Sequence, residues 1–313
     1  MDAGTSGNMD TPDRSGTIVD IKRLAVHDGP GIRTTFFLKG CPLACRWCHN
    51  PECISGAPQL AYYEHKCRNC GICVSSCPAG AHTIEAGKHR FDRSKCRNCG
   101  ACEPWCAGAA LKLYGREMTV REALAIALED ESFYRESGGG VTVSGGEPLF
   151  QLEFTRALLA ALKRRGVATA LDSCAAVGRE AIDAVLPYTD LFLIDFKHAS
   201  AAEHRKLTGR PNDQVCENLR YLSDRGARIE IRIPLVPTCN DGAGDLDAAG
   251  RFLGALNIER VRLLPYHRHA AAKYAALGMP YRMPDSVAPP SAEALEDAAE
   301  ILRAHGLAVA LPD

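Results

Sequence analysis

The cysteines constrain this chain more than any other feature: twelve of its fifteen lie between residues 41 and 106, eleven of them in three sets spaced for iron–sulfur clusters. The first set, Cys41-Pro-Leu-Ala-Cys45-Arg-Trp-Cys48, directly follows the apolar run Thr34-Thr35-Phe36-Phe37-Leu38. A four-iron cluster ordinarily takes four thiolates. Three cysteines at this spacing hold three corners of a 4Fe–4S cluster. The fourth iron is then open to another ligand, as in catalytic metal sites.

The other two sets repeat one another. Cys67-Arg-Asn-Cys70-Gly-Ile-Cys73-Val-Ser-Ser-Cys77-Pro78 has the bacterial ferredoxin spacing with its closing proline. Cys96-Arg-Asn-Cys99-Gly-Ala-Cys102-Glu-Pro-Trp-Cys106 has the same spacing, with Ala107 in the proline position. In two-cluster ferredoxins the fourth cysteine of each run ligates the other cluster. That rule groups Cys67, Cys70, Cys73 and Cys106 around one cluster, and Cys77, Cys96, Cys99 and Cys102 around the other. Zinc is the alternative, but zinc calls for paired CxxC knuckles or mixed Cys/His sets. It leaves Cys73, Cys77, Cys102 and Cys106 without a clear use.

Composition suits a reducing cell interior. The 313 residues fit one barrel-sized domain plus a small insert. A net charge of −1 gives no support for a nucleic-acid partner, and no apolar stretch reaches membrane-spanning length. Residues 1–15 are small, polar and acidic and lack the basic and apolar regions of a signal peptide. They read as a disordered tail on a cytoplasmic protein, with Met9 as a second candidate start. Cys53, Cys174, Cys216 and Cys239 read as small apolar fillers.

Apolar strand-like runs alternate with helical patterns, which predicts parallel βα units. The strands fall at 33–38, 141–144, 168–172, 191–196, 229–235 and 261–265. Thr119-Val-Arg-Glu122 is a capping box opening a helix to about Arg135. Further helices are expected at 152–165, ended by Gly166, and at 179–186, 213–225, 246–256 and 292–305. The cysteine-rich stretch 53–111 interrupts this alternation, so it reads as an insert dividing a barrel domain of residues 16–52 and 112–313. Six βα units are too few to close an eight-stranded barrel; the expected fold is a partial (β/α)6 barrel with an inserted two-cluster ferredoxin-like domain. The chemistry-bearing residues fall after strand ends, where barrels keep their active sites.

The chain resembles the glycyl radical enzyme activating enzymes of the radical S-adenosylmethionine (SAM) superfamily, and is similar to pyruvate formate-lyase activating enzyme. The resemblance rests on His27-Asp28-Gly29-Pro30-Gly31-Ile32-Arg33, Gly40-Cys41 through Cys48-His49-Asn50-Pro51-Glu52, Ser144-Gly145-Gly146-Glu147-Pro148, Asp195-Phe196-Lys197, Leu264-Pro265-Tyr266-His267 and Lys273-Tyr274. It spans nearly everything from Gly16 to Pro312.

The resemblance implies three 4Fe–4S clusters and SAM, whose amino and carboxylate groups chelate the open iron held by Cys41, Cys45 and Cys48. Trp47, Cys48, His49, Gly145, Gly146, Glu147, Asp195, Lys197, Arg232 and His267 match positions that surround SAM. Asp172, Ser173 and Asp195 match a site for a monovalent cation; Cys174, next to that site, stands where the relative has Asn. Asp28, Gly29, Gly31 and Arg33 match the segment that meets the partner's glycine loop. The implied reaction is reductive cleavage of SAM to a 5′-deoxyadenosyl radical, which takes a hydrogen atom from one glycine of a partner glycyl radical enzyme. Flavodoxin or ferredoxin is the implied electron donor, by way of the insert clusters. Two other readings stand beside this one: a radical SAM enzyme acting on a small molecule, and a ferredoxin-type electron carrier.

Overall fold

A computed structural model describes residues 14–312 of the chain. The tail expected at 1–15 lies outside the described residues except for Arg14 and Ser15, and Ser15 already opens the first strand.

The nine-stranded main sheet is built from β1 (Ser15–Ala25), β2 (Arg33–Leu38), β7 (Arg116–Thr119), β8 (Gly140–Gly145), β9 (Thr169–Ser173), β10 (Leu191–Asp195), β11 (Ile229–Leu235), β12 (Arg260–Pro265) and β13 (Val309–Ala310). Its order is β13-β12-β11-β10-β9-β8-β2-β1-β7. From β2 to β13 every neighbour is parallel, whereas β1 and β7 are antiparallel additions at one end. The sheet therefore stays open, with six full parallel strands as its core. Strands such as Leu191-Phe-Leu-Ile194 are buried on both faces, as helix-covered parallel strands must be.

Two differences from expectation have local causes. The helix opened by the Thr119/Glu122 capping box stops at Leu128, and a second one runs from Glu131 to Ser137. Asp130 breaks the run because its carboxylate accepts bonds from Arg23 Nε at 2.9 Å and Thr34 Oγ1 at 2.6 Å. Strand β1 was not anticipated, since its charged second half reads as surface; pairing with β2 and β7 gives it structure.

The cysteine-rich segment leaves the main sheet after Cys53 and returns through an antiparallel stem of β3 (Gln59–Tyr62) and β6 (Leu111–Tyr114). Between them lies a hairpin of β4 (His82–Glu85) and β5 (Lys88–Phe91), turned by Ala86 and Gly87 at φ 48° and 76°. Positive φ at both turn positions is what a two-residue hairpin with the native twist requires. The two cysteine runs fold alike. Asn69 and Asn98 adopt φ of 54° and 52°, and their backbone N–H groups donate to Cys67 Sγ and Cys96 Sγ at 3.4 Å.

Candidate active site and cluster cavities

The loop Gly40–Cys48 follows the C-terminal end of β2 and is pinned along its length by backbone bonds. Gly40 N and Cys41 N donate to Cys53 O and Ile54 O, while Ala44 N and Arg46 N donate to Thr208 O and Leu207 O. The Gly145-Gly146-Glu147-Pro148 turn closes over it, with Gly146 N bonded to Leu38 O and Glu147 N to Gly40 O. On the far side Lys273 Nζ binds Glu52 Oε1 at 2.6 Å and also reaches His49 O and Asn50 Oδ1.

This loop forms one wall of a cavity of about 460 Å3 lined by Cys41, Cys45, Trp47, Cys48 and His49. Gly145, Gly146, Asp172, Asp195, Lys197, Arg232 and His267 complete it. They come from the ends of β8, β9, β10 and β12, the rim where a barrel gathers chemistry from separate strands, and, for Arg232, from the middle of β11. The volume lies within the range of small-ligand sites.

The electrostatics favour an anionic metal centre with a charged ligand. Lys197 Nζ donates to Asp195 Oδ2 at 2.7 Å. Burial works against its charge, but Asp195, Cys45 and Cys174 outweigh that and hold its pKa well above the ordinary lysine value. Burial raises the Cys45 and Cys48 thiols to about 11 and about 12, so binding a metal there must displace protons. Burial also pushes the Asp172 carboxyl up, against the pull of Arg232, whose Nη1 lies 3.3 Å from Asp172 Oδ2. His49 and His267 meet edge-on with centroids 4.3 Å apart. Burial, then the neighbouring His267, lowers His49 to about 4. Arg232 Nε and His267 Nδ1 are buried and have no hydrogen-bond partner among the described residues. Two unsatisfied polar atoms on residues lining one cavity fit a polar ligand in it.

The insert holds two smaller cavities. Cys67, Cys70, Cys73 and Cys106 line one; Cys77, Cys96, Cys99 and Cys102 line the other. The fourth cysteine of each run thus crosses to the other run's cavity, and no two of the chain's cysteines are joined by a disulfide. Eight free thiols in two groups of four fit two 4Fe–4S clusters.

Comparison with known proteins agrees with these cavities. The radical SAM superfamily matches residues 93–246 and a 4Fe-4S dicluster domain matches residues 60–107. The choline trimethylamine-lyase activating enzyme of Oleidesulfovibrio alaskensis is 42% identical over 276 residues, covering 86% of this chain and 89% of that protein. The benzylsuccinate synthase activating enzyme of Thauera aromatica is 41% identical over 303 residues, covering 94% and 92%. The chain belongs to the glycyl radical enzyme activating enzymes. A further activating enzyme of the family, for trans-4-hydroxy-L-proline dehydratase of Clostridioides difficile, is 40% identical over 92% of this chain and 96% of its own. Among solved structures, a radical SAM methyltransferase from Sphaerobacter thermophilus shares the fold, with a TM-score of 0.52 at 14% identity over 94% of this chain and 76% of that one.

Within this activating enzyme, several residues singled out from the sequence take other places. Glu147 does not line the cavity; it lies fully buried beneath it, accepting bonds from Ser173 Oγ, Cys174 N and Leu149 N. Ser173 Oγ is turned onto that carboxylate, away from Asp172, because neighbours on a strand point to opposite faces. Arg33 is 2% exposed, and its guanidinium binds Thr142 Oγ1, Val141 O, Ala168 O and Pro30 O. It braces the Asp28–Gly31 turn from inside and has no surface to offer a partner. Gly29 packs over it: an added Cβ would stand 3.0 Å from Arg33 Cδ. Of the turn, Asp28 reaches the cavity. Asn240, missed from the sequence, donates to Lys197 O at 3.0 Å and Pro234 O at 2.7 Å, holding the Lys197 backbone in place. A polar residue shortly after a barrel strand was the available signal.

Proposed function

We propose that Cys41, Cys45 and Cys48 hold the cluster on which this activating enzyme works, and that SAM fills the cavity beside them. The enzyme cleaves SAM reductively and generates the radical on a glycine of a partner glycyl radical enzyme. The observation that carries the residue assignment is the single cavity shared by the three cysteines, the Asp195/Lys197 pair and the unpartnered nitrogens of Arg232 and His267.

When bound, the cluster and SAM together supply the electron and the carbon-centred radical that no side chain can provide. The chain's own residues bind and orient. Lys197 places a positive charge beside Cys45, and Trp47 is a buried aromatic wall for the adenine. His267 offers a free nitrogen toward ribose and base, and Arg232 steadies Asp172. The backbone of Gly145 and Gly146 approaches the ligand without a side chain. Asp172 and Asp195 form the oxygen-rich part of a monovalent-cation site, a donor set that hard cations favour. Asp28 lines the same cavity and would meet a glycine loop of the partner there.

The insert, residues 53–111, carries two 4Fe–4S clusters that receive electrons from flavodoxin or ferredoxin and pass them to the barrel. Among the described residues no helix is long and apolar enough to cross a membrane, and a reducing cytoplasm suits eleven cluster thiols. The test is anaerobic: the enzyme is mixed with candidate glycyl radical enzymes, SAM and a reductant. A glycyl radical doublet by electron paramagnetic resonance is expected with one of them. SAM cleavage that never yields a protein radical, together with turnover of a small metabolite, would replace this reading.

A further inference from the structure

Two histidines outside the active site lie between the insert's cluster cavities. His82 and His89 stand on one face of the β4–β5 hairpin, His82 Nδ1 and His89 Nε2 sharing a hydrogen bond of 2.9 Å. They are 2% and 6% exposed. Phe91 stacks on His82 at 4.8 Å, and Tyr62 meets His89 edge-on at 4.7 Å, so both rings are fixed. His89 lines the cavity of Cys67, Cys70, Cys73 and Cys106; His82 lines that of Cys77, Cys96, Cys99 and Cys102. The outward nitrogens, His82 Nε2 and His89 Nδ1, are buried and have no partner among the described residues. Ligating atoms of Cys73, His82 and His89 lie within 4.8 Å of one another.

Buried nitrogens rarely go unsatisfied, and cluster sulfurs accept hydrogen bonds that set the reduction potential. A neutral imidazole has one N–H and one bare nitrogen. Two neutral rings therefore carry two N–H groups, and the shared bond uses one. One N–H remains for two outward positions. If His82 donates inward, the free N–H is on His89 Nδ1; if His89 donates inward, it is on His82 Nε2. The other outward nitrogen presents a lone pair.

We propose that the His82–His89 pair gives one hydrogen bond to the sulfur of one insert cluster and withholds it from the other, making two near-symmetric clusters unequal in potential. A donor to sulfur stabilises the more negative, reduced cluster. The cluster that receives the N–H fills first, and the pair sets the order in which electrons cross the insert. This rests on the two-cluster assignment of the insert proposed above.

The experiment is a redox titration of the fully loaded enzyme, followed by electron paramagnetic resonance, comparing the natural chain with the double variant His82→Phe/His89→Phe. Iron is counted first. About twelve irons per chain correspond to three four-iron clusters; about four in the natural chain would remove the insert clusters and this proposal with them. With iron intact in both proteins, one insert potential is expected to fall by about 59 mV or more, a tenfold change in a one-electron equilibrium, while the other holds. Both potentials unchanged, or both falling equally, overturns the single-donor pair. A second measurement needs no variant: with 15N-labelled histidine, pulsed hyperfine spectroscopy of the reduced natural enzyme should show histidine nitrogen coupled to an insert cluster. Absence of that coupling also overturns the proposal, including where the double variant loses its clusters.

Discussion

Gly146 lies so close to Cys41 that a Cβ added to it would stand 2.9 Å from the Cys41 Cβ, and 2.4 Å from Gly40 O. Gly145, at φ +127°, is equally confined: its Cβ would meet Leu38 N at 2.2 Å. The two glycines are thus demanded first by the chain itself, which seats the turn after β8 directly on the cysteine loop after β2. Contacts this short with backbone atoms have no flexible end to yield, so Gly146→Ala must push the Cys41 loop. The expected result is loss of roughly one cluster, about four irons, with the insert clusters kept. Full iron content and unchanged SAM affinity in that variant would show that the loop can shift freely.

Iron content also tests the cysteine assignments directly. The loaded chain should hold about twelve irons, and the triple change of Cys41, Cys45 and Cys48 to Ala should remove about four while abolishing SAM cleavage. Iron and sulfide assays after anaerobic reconstitution check both numbers.

Cys67→Ala separates electron delivery from SAM binding. Cys67 lines an insert cavity and is absent from the active-site wall. The variant should bind SAM normally yet activate its partner several-fold more slowly with a protein reductant than the natural chain. A folded variant that no longer bound SAM would contradict that division.

Asp195→Asn keeps the side-chain size and removes one of the two carboxylates at the proposed cation position. SAM affinity should drop about tenfold, roughly 1.4 kcal/mol, and should lose its dependence on sodium or potassium concentration. Were Asp195 merely the ion-pair partner of Lys197, affinity would ignore the cation in both proteins. Calorimetric titration across the two salts decides between them.

Arg33→Met should act on stability. The buried guanidinium satisfies Thr142 Oγ1 and three backbone carbonyls, Val141, Ala168 and Pro30. Removing it takes a buried donor from each of these groups, though Ala168 O still accepts from Val141 N and Thr142 Oγ1 still donates to Asp28 O, and costs about 3 kcal/mol. A lowered denaturation midpoint is expected. A variant as stable as the natural chain but unable to engage its partner would return Arg33 to the interface.

The sequence by itself determined the parallel strands and their alternation with helices, because the continuous apolar runs of strands buried on both faces and the period-3.6 pattern of the helices are written locally. Strands 33–38 and 229–235 coincide with β2 and β11, and Thr119/Glu122 caps its helix as the spacing predicts. Cysteine spacing was equally legible, since a cluster needs thiolates at fixed short intervals. Tertiary structure alone decided which way side chains point and what they meet. Asp172 and Ser173 are adjacent, yet one faces the cavity and the other Glu147, 26 residues away in sequence. Arg33 opens the predicted strand 33–38 and matched the partner-contacting segment, but in the fold its guanidinium turns inward onto Thr142, Val141 and Ala168. His82 and His89 carried no motif, and only the folding of the β4–β5 hairpin between two cavities gave their nitrogens a shared bond and two unfilled ends. Such relations depend on strand register and packing between distant segments, which local spacing does not encode.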